Sequence, residues 1–192
     1  MKSKHSVILG IAIFLFIQHN LAVSDRDYDL KITKFMCIDT PYKRSVLHYC
    51  KTIARRDQPT MLNLSITVPE SFNYLKMRFS AEYKFSTYRP FLFDLEIEAC
   101  EFVSQKNRDP ASEIAYKVVF ARISSIAKRC PHGNRTYSVE YWVDKQTLPK
   151  SLPAGDYRLT IAFIFKDNTT LLKLQTYGII RRMGVFRSMI EW

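Results

Sequence analysis

The sequence predicts a mainly β fold, an antiparallel sandwich or barrel, on three observations. Apolar and polar residues alternate at period two through seven or eight segments. Turn residues separate those segments, and one stretch near residues 110–127 repeats at helical spacing instead. A strand with one buried face and one wet face leaves that alternating record.

A targeting segment precedes the strands. Lys2 and Lys4 lie ahead of the apolar run Val7 to Ile17, and Ala22-Val23-Ser24 offers small residues for cleavage. This is the layout of a secretory signal peptide, expected over residues 1–24. Eleven residues at ~1.5 Å each reach about 16 Å, roughly half a bilayer's hydrocarbon thickness, so a permanent anchor is the weaker reading. Residues 25–192 are expected to form a single exported domain.

Along that domain, Leu30–Phe35 and Ser45–Ile53 read as shorter strands. Leu62, Leu64, Ile66 and Val68 then share one face, with Asn63, Ser65 and Thr67 on the other. Leu75, Met77, Phe79, Ala81, Tyr83 and Phe85 alternate with Lys76, Arg78, Ser80, Glu82 and Lys84. After a turn expected around Arg89-Pro90, Phe91, Phe93, Leu95, Ile97 and Ala99 alternate with Leu92, Asp94, Glu96 and Glu98. The outward rows are basic, then acidic, so as antiparallel neighbours they set opposite charges across from each other. Asp109-Pro110 supplies an N-cap and a first-turn proline, and Ala115, Val119, Ile123 and Ile126 recur before Lys128 and Arg129. A helix over 110–127 is expected, with Val118 and Phe120 on its outer face, although Val118–Phe120 could instead begin a strand. Tyr137, Val139, Tyr141 and Val143 alternate next, as do Tyr157, Leu159, Ile161, Phe163 and Phe165. Asp167-Asn168 reads as a turn before Leu172, Leu174, Thr176 and Ile180.

Composition narrows the function. Of 192 residues 47% are apolar and 14% aromatic, enough to offset ordering entropy and exclude disorder. The formal charge of +11 favours anionic surroundings. The basic residues are spread along strands rather than gathered on one helix, which argues against nucleic acid. Their functional reading is docking to an anionic membrane surface or a receptor. Cys37, Cys50, Cys100 and Cys130 form an even set, and export makes disulfides the default. Three pairings are open; the sequence-local one, Cys37–Cys50 with Cys100–Cys130, is preferred. Without a CxxC, and with only His48 and His132 left after signal removal, zinc is disfavoured. Sequons at Asn63, Asn134 and Asn168 agree with export.

The residues from Cys130 onward carry a resemblance. Cys130-Pro131 with Gly133, Thr136-Tyr137-Ser138, and Leu148-Pro149 through Leu152-Pro153-Ala154-Gly155-Asp156-Tyr157-Arg158-Leu159 resemble the ML lipid-recognition superfamily, most of all its ganglioside-activator members. Glu98-Ala99-Cys100-Glu101-Phe102 is similar to the D-x-C-x-F element of related insect secreted families of unknown function, including CheB-type chemosensory proteins. The likeness spans about Leu62 to Ile180. It implies an immunoglobulin-like two-sheet sandwich holding a lipid or other small apolar ligand, pheromone-like in the chemosensory case, between its sheets. One departure stands out: those carriers tie the tail to the start with a disulfide, and no cysteine follows Cys130 here.

Composition alone favours a solid core, its inward rows interdigitating. With the resemblance added, a cavity becomes the leading reading, lined by Leu75, Met77, Phe79, Tyr83, Phe85, Phe91, Phe93, Leu95, Ile97, Val139, Tyr141, Leu159, Ile161 and Phe163. The expected function is a secreted non-enzymatic binding protein, without cofactor or metal, in chemosensation or lipid handling. The alternative is a secreted protein-interaction module with a packed interior. Catalysis is disfavoured: Asp94, Glu96 and Glu98 share a face ~6.6 Å apart, a spacing that suits paired carboxylates, but that face is wet. No nucleophile elbow, phosphate loop or His-Glu-x-x-His is present in the sequence.

Overall fold

The computed structural model describes residues 28–123, 125 and 127–182, so the expected export signal over residues 1–24 lies outside the described residues. Eight strands are found among them: β1 (Tyr28–Cys37), β2 (Val46–Ile53), β3 (Met61–Phe72), β4 (Lys76–Lys84), β5 (Tyr88–Glu98), β6 (His132–Tyr141), β7 (Gly155–Ile164) and β8 (Thr170–Arg182). Helices α1 (Ala99–Ser104) and α2 (Pro110–Val119) connect β5 to β6, and a short 3-10 turn (Lys145–Thr147) precedes β7. All pairings are antiparallel. One sheet has the order β1-β8-β7-β4-β5 and the other β2-β3-β6, which is the two-sheet sandwich rather than a barrel.

The alternating rows face each other across the sandwich. Leu62, Leu64, Ile66 and Val68 of β3 are buried opposite Met77 and Phe79 of β4, Ile161 of β7 and Leu172 and Leu174 of β8. Cys37 is bonded to Cys50, joining β1 to β2 and hence one sheet to the other. Cys100 is bonded to Cys130, fixing α1 beside the chain that enters β6.

Charge sets the register of β4 against β5, but along a diagonal. Lys76 lies opposite Glu98 and Arg78 opposite Glu96. The ion pairs instead join Lys76 to Glu96 at 3.0 Å and Arg78 to Asp94 at 2.8 Å. Glu98 is occupied elsewhere, accepting from the backbone N–H groups of Leu75 and Cys100 as the N-cap of α1.

The hairpin turn falls at Phe85–Thr87, not around Arg89-Pro90. Pro90 is accommodated because β5 is an edge strand, where the missing N–H costs no ladder bond. Phe85 therefore leaves the inward row and is 63% exposed.

The expected helix over 110–127 ends at Val119. Asp109 caps its start, accepting from Ala111 and Ser112. Val118, Val119 and Phe120 are all buried, and three consecutive side chains cannot share one face of a continuing helix. Phe120 is the C-cap and turns inward, so neither Val118 nor Phe120 lies on an outer face. The α1–α2 connection is clamped by Arg108, whose guanidinium lies 3.8 Å from the Tyr116 ring centre and donates to the Phe102 carbonyl.

Candidate functional site

The sheets do not meet everywhere. A cavity of about 110 Å³ lies between them along β3 and β6, from Leu62 and Tyr141 to Phe72 and His132. Leu62, Leu64, Ile66 and Val68 form one wall; Ile161, Phe163, Leu171, Leu172 and Leu174 form the other. Tyr137, Val139 and Tyr141 of β6 close one side, and Val119, Phe120 and Ile123 close another. Leu75, Phe72 and His132 stand at the end.

Its few polar atoms are engaged by the protein itself. The Tyr141 hydroxyl donates to the Val118 carbonyl at 2.7 Å, and the Tyr137 hydroxyl accepts from the Gly133 N–H at 2.7 Å. His132 Nε2 lies 3.0 Å from the Lys128 carbonyl oxygen. Burial pushes the Tyr141 hydroxyl well above the ordinary tyrosine range. Burial likewise lowers the His132 imidazole, with Arg135 adding to the effect and the Lys128 carbonyl opposing it. The walls offer a guest almost nothing but carbon.

A second cavity of about 90 Å³ lies where β4 finishes and β7 begins. It is lined by Leu30 and Ile32, Phe79 and Ala81, Phe93, Ile114 and Val118, Leu148, Pro149 and Leu152, and Tyr157, Leu159 and Ile180. The Tyr157 hydroxyl donates to the Pro153 carbonyl at 2.8 Å, and burial pushes its pKa up to about 12. Arg158 at the rim is held by Glu82 at 2.6 and 2.8 Å.

Neighbouring residues line the two cavities. Val118 lines the smaller and its neighbour Val119 the larger; Phe79 lines the smaller and its cross-strand partner Ile161 the larger.

Of the lining residues expected from sequence, Leu75, Val139, Tyr141, Ile161 and Phe163 surround the larger cavity, and Phe79, Phe93 and Leu159 the smaller. Met77 is wholly buried but touches neither void, and Leu95 and Ile97 pack against the core. Tyr83 and Phe91 form an aromatic cluster with Tyr157 beyond the smaller cavity, and Phe85 projects from it into solvent. The β3 row, the β8 leucines and the Val119–Ile123 corner were absent from the expected lining. The β3 and β8 rows were visible as alternation, whereas the corner depends on where α2 stops.

Asn134 and Asn168 are exposed, and Asn63 lies on the outward side of β3. Asp94 and Glu96 are exposed on the outer face, where Arg78 holds the Asp94 carboxyl below its usual range. No acidic residue lines either cavity. Among the described residues no group of three or more His, Cys, Asp or Glu side chains is placed to hold a metal. No described helix is long and apolar enough to cross a membrane.

Residues 77–159 match the family described as "Protein of unknown function (DUF1091)". This match bears out the resemblance to an ML-related family of unknown function. No curated protein matches the sequence significantly. Among solved structures, a Niemann-Pick type C2 protein from the Japanese carpenter ant is 10% identical, with 76% of this chain and 97% of that one covered at a TM-score of 0.37. Chicken MD-1 complexed with lipid IVa is 11% identical, with 83% and 94% covered at a TM-score of 0.35.

Proposed function

We propose that this chain is a secreted, non-enzymatic binding protein for a lipid or other small apolar ligand held between its two sheets. The observation that carries this reading is the larger cavity, lined almost wholly by carbon, with its tyrosine hydroxyls already bonded to the backbone. An apolar void of this kind stays dry, and a comparable engineered cavity of about 150 Å³ takes benzene. Each buried methylene contributes roughly 0.8 kcal/mol, so a short acyl segment gains useful affinity without a polar anchor.

The adjacency of their lining residues suits a ligand longer than either void. A chain entering one cavity reaches the other by displacing side chains such as Phe79 and Val118. The alternative, a packed interaction module, requires a filled interior, and the two voids weigh against it. Two disulfides, three sequons and the amino-terminal export pattern support an extracellular setting. Chemosensation or lipid handling is the physiological context we infer.

The test is organic extraction and mass spectrometry of protein secreted by its native cells, paired with uptake of a fluorescent fatty acid. A stoichiometric apolar molecule, together with uptake that Val139→Phe abolishes by filling the larger void, is expected. No recovered ligand and no uptake by the wild-type chain would refute the proposal.

A further inference from the structure

Among the described residues, the tip of the β4–β5 hairpin is an exposed aromatic element. Phe85 is 63% exposed, the most exposed of the large apolar side chains among the described residues. It touches the Tyr83 ring at 4.9 Å between centres. Tyr83 meets Phe91 at 5.4 Å and Tyr157 at 5.2 Å, and Tyr157 lines the smaller cavity. A continuous run of rings therefore leads from solvent into the interior.

Charge surrounds that tip in a particular way. Lys84 and Arg89 flank the turn, and exposed Lys150 sits in the neighbouring loop whose Pro149 and Leu152 also line the smaller cavity. The nearby carboxylates are already engaged, Glu82 with Arg158 and Asp156 with Lys84. Arg89 and Lys150 have no acidic partner among the described residues. A projecting phenyl ring with the exposed cations Arg89 and Lys150 in the flanking strand and loop matches an anionic lipid surface, whose headgroups attract the charges while the ring enters the acyl boundary. The exposed sequon asparagines Asn134 and Asn168 belong to the opposite end, beside the β6 start and in the β7–β8 turn, and Asn63 lies on the outward side of the other sheet, so glycans at Asn134 and Asn168 would leave the tip clear.

We infer that the Phe85 hairpin tip docks this protein on anionic membranes and that apolar ligand passes along the Tyr83–Tyr157 rings into the smaller cavity. The loading route rests on the binding function proposed above; the docking itself does not.

The experiment is co-sedimentation of the full secreted chain with phosphatidylserine-containing vesicles, read against Phe85→Ser and the double variant Lys84→Gln/Arg89→Gln. Phe85 is exposed, so the serine variant keeps the fold. The wild-type chain is expected to bind, and each cation removed to weaken binding about five-fold, the factor equivalent to ~1 kcal/mol per surface cation. Phe85→Trp fluorescence, corrected for Trp142 and Trp192, is expected to be quenched by brominated acyl chains. Uptake of a fluorescent fatty acid from vesicles is expected to fall in Phe85→Ser, while uptake from dilute solution is retained. No wild-type sedimentation, pointing to a protein partner for the tip, would overturn the inference. Unchanged binding in both variants would do the same, as would an unquenched indole signal from vesicle-bound Phe85→Trp. Should the wild-type chain take up no fatty acid from either source, the binding function fails, while sedimentation still decides the docking.

Discussion

Tyr141 shows how one hydroxyl serves both the fold and the cavity. Its ring forms part of the larger cavity wall, and its O–H caps the Val118 carbonyl at the end of α2. Tyr141→Phe keeps the wall and leaves that buried carbonyl unpartnered, which is expected to cost about 1–2 kcal/mol in urea unfolding with little change in ligand uptake. His132, at the cavity's end, couples stability to pH. Burial holds its folded pKa below the ordinary 6.5, so just under that pH the unfolded chain binds a proton that the folded chain refuses. Stability from this group is complete above pH 6.5 and declines as pH falls toward the lowered folded value. Urea midpoints at about pH 7 and about pH 5 should converge in His132→Gln relative to wild type once shared carboxylate effects are subtracted. Gly133 next to it has φ +97, and a Cβ there would lie 2.0 Å from the Glu70 carbonyl oxygen. No side chain fits that corner without moving the backbone of β3.

Strands were legible because each keeps a buried row and a wet row, and the β3 and β4 alternations fall where the ladders run. The hairpin turn was misplaced because Arg89-Pro90 carries the stronger local turn signal, while an edge position absorbs proline without penalty. Helix α1 was missed for a different reason: its cap is Glu98, which also reads as one of the strand's outward acids. The extent of α2 was set by packing, since burying Val118, Val119 and Phe120 together requires the helix to stop. These helices are held by groups whose removal can be measured. Arg108 is sandwiched against Phe102 and Tyr116 and bonds the Phe102 carbonyl. Arg108→Ala is expected to destabilise the fold by about 2–3 kcal/mol through lost ring packing and one lost hydrogen bond to the Phe102 carbonyl, which keeps the Gln105 N–H as its other partner. Cys100 and Cys130 close a loop with a sequence separation of 30, worth about 3.5 kcal/mol in the chain-entropy model. The Cys100→Ser/Cys130→Ser pair should lower the denaturation midpoint accordingly.

At the scale of the whole molecule, the question of a packed or open interior was beyond the reach of periodicity. An inward Phe79 and an inward Met77 look alike in sequence, yet one lines a void and the other fills the core. The difference depends on how the two sheets and the helices between β5 and β6 pack together, which no single strand's alternation records. The boundary between the voids is where that global property can be tested. Phe79 is buried, stacks on Phe93 at 5.0 Å and borders Ile161 across the strand. Phe79→Ala removes a ring that lines the smaller cavity beside Ile161 of the larger, and is expected to cost about 3–5 kcal/mol in the empty protein. A ligand long enough to fill the enlarged space replaces the lost contacts, so its added stabilisation, RT ln(1 + [L]/Kd), should exceed that in wild type. Thermal unfolding of both proteins across a series of fatty acids of increasing length measures this directly. The midpoint gained on binding should rise to longer chains in Phe79→Ala than in wild type. An identical length optimum in the two would mean that the ligand never reaches from one void into the other.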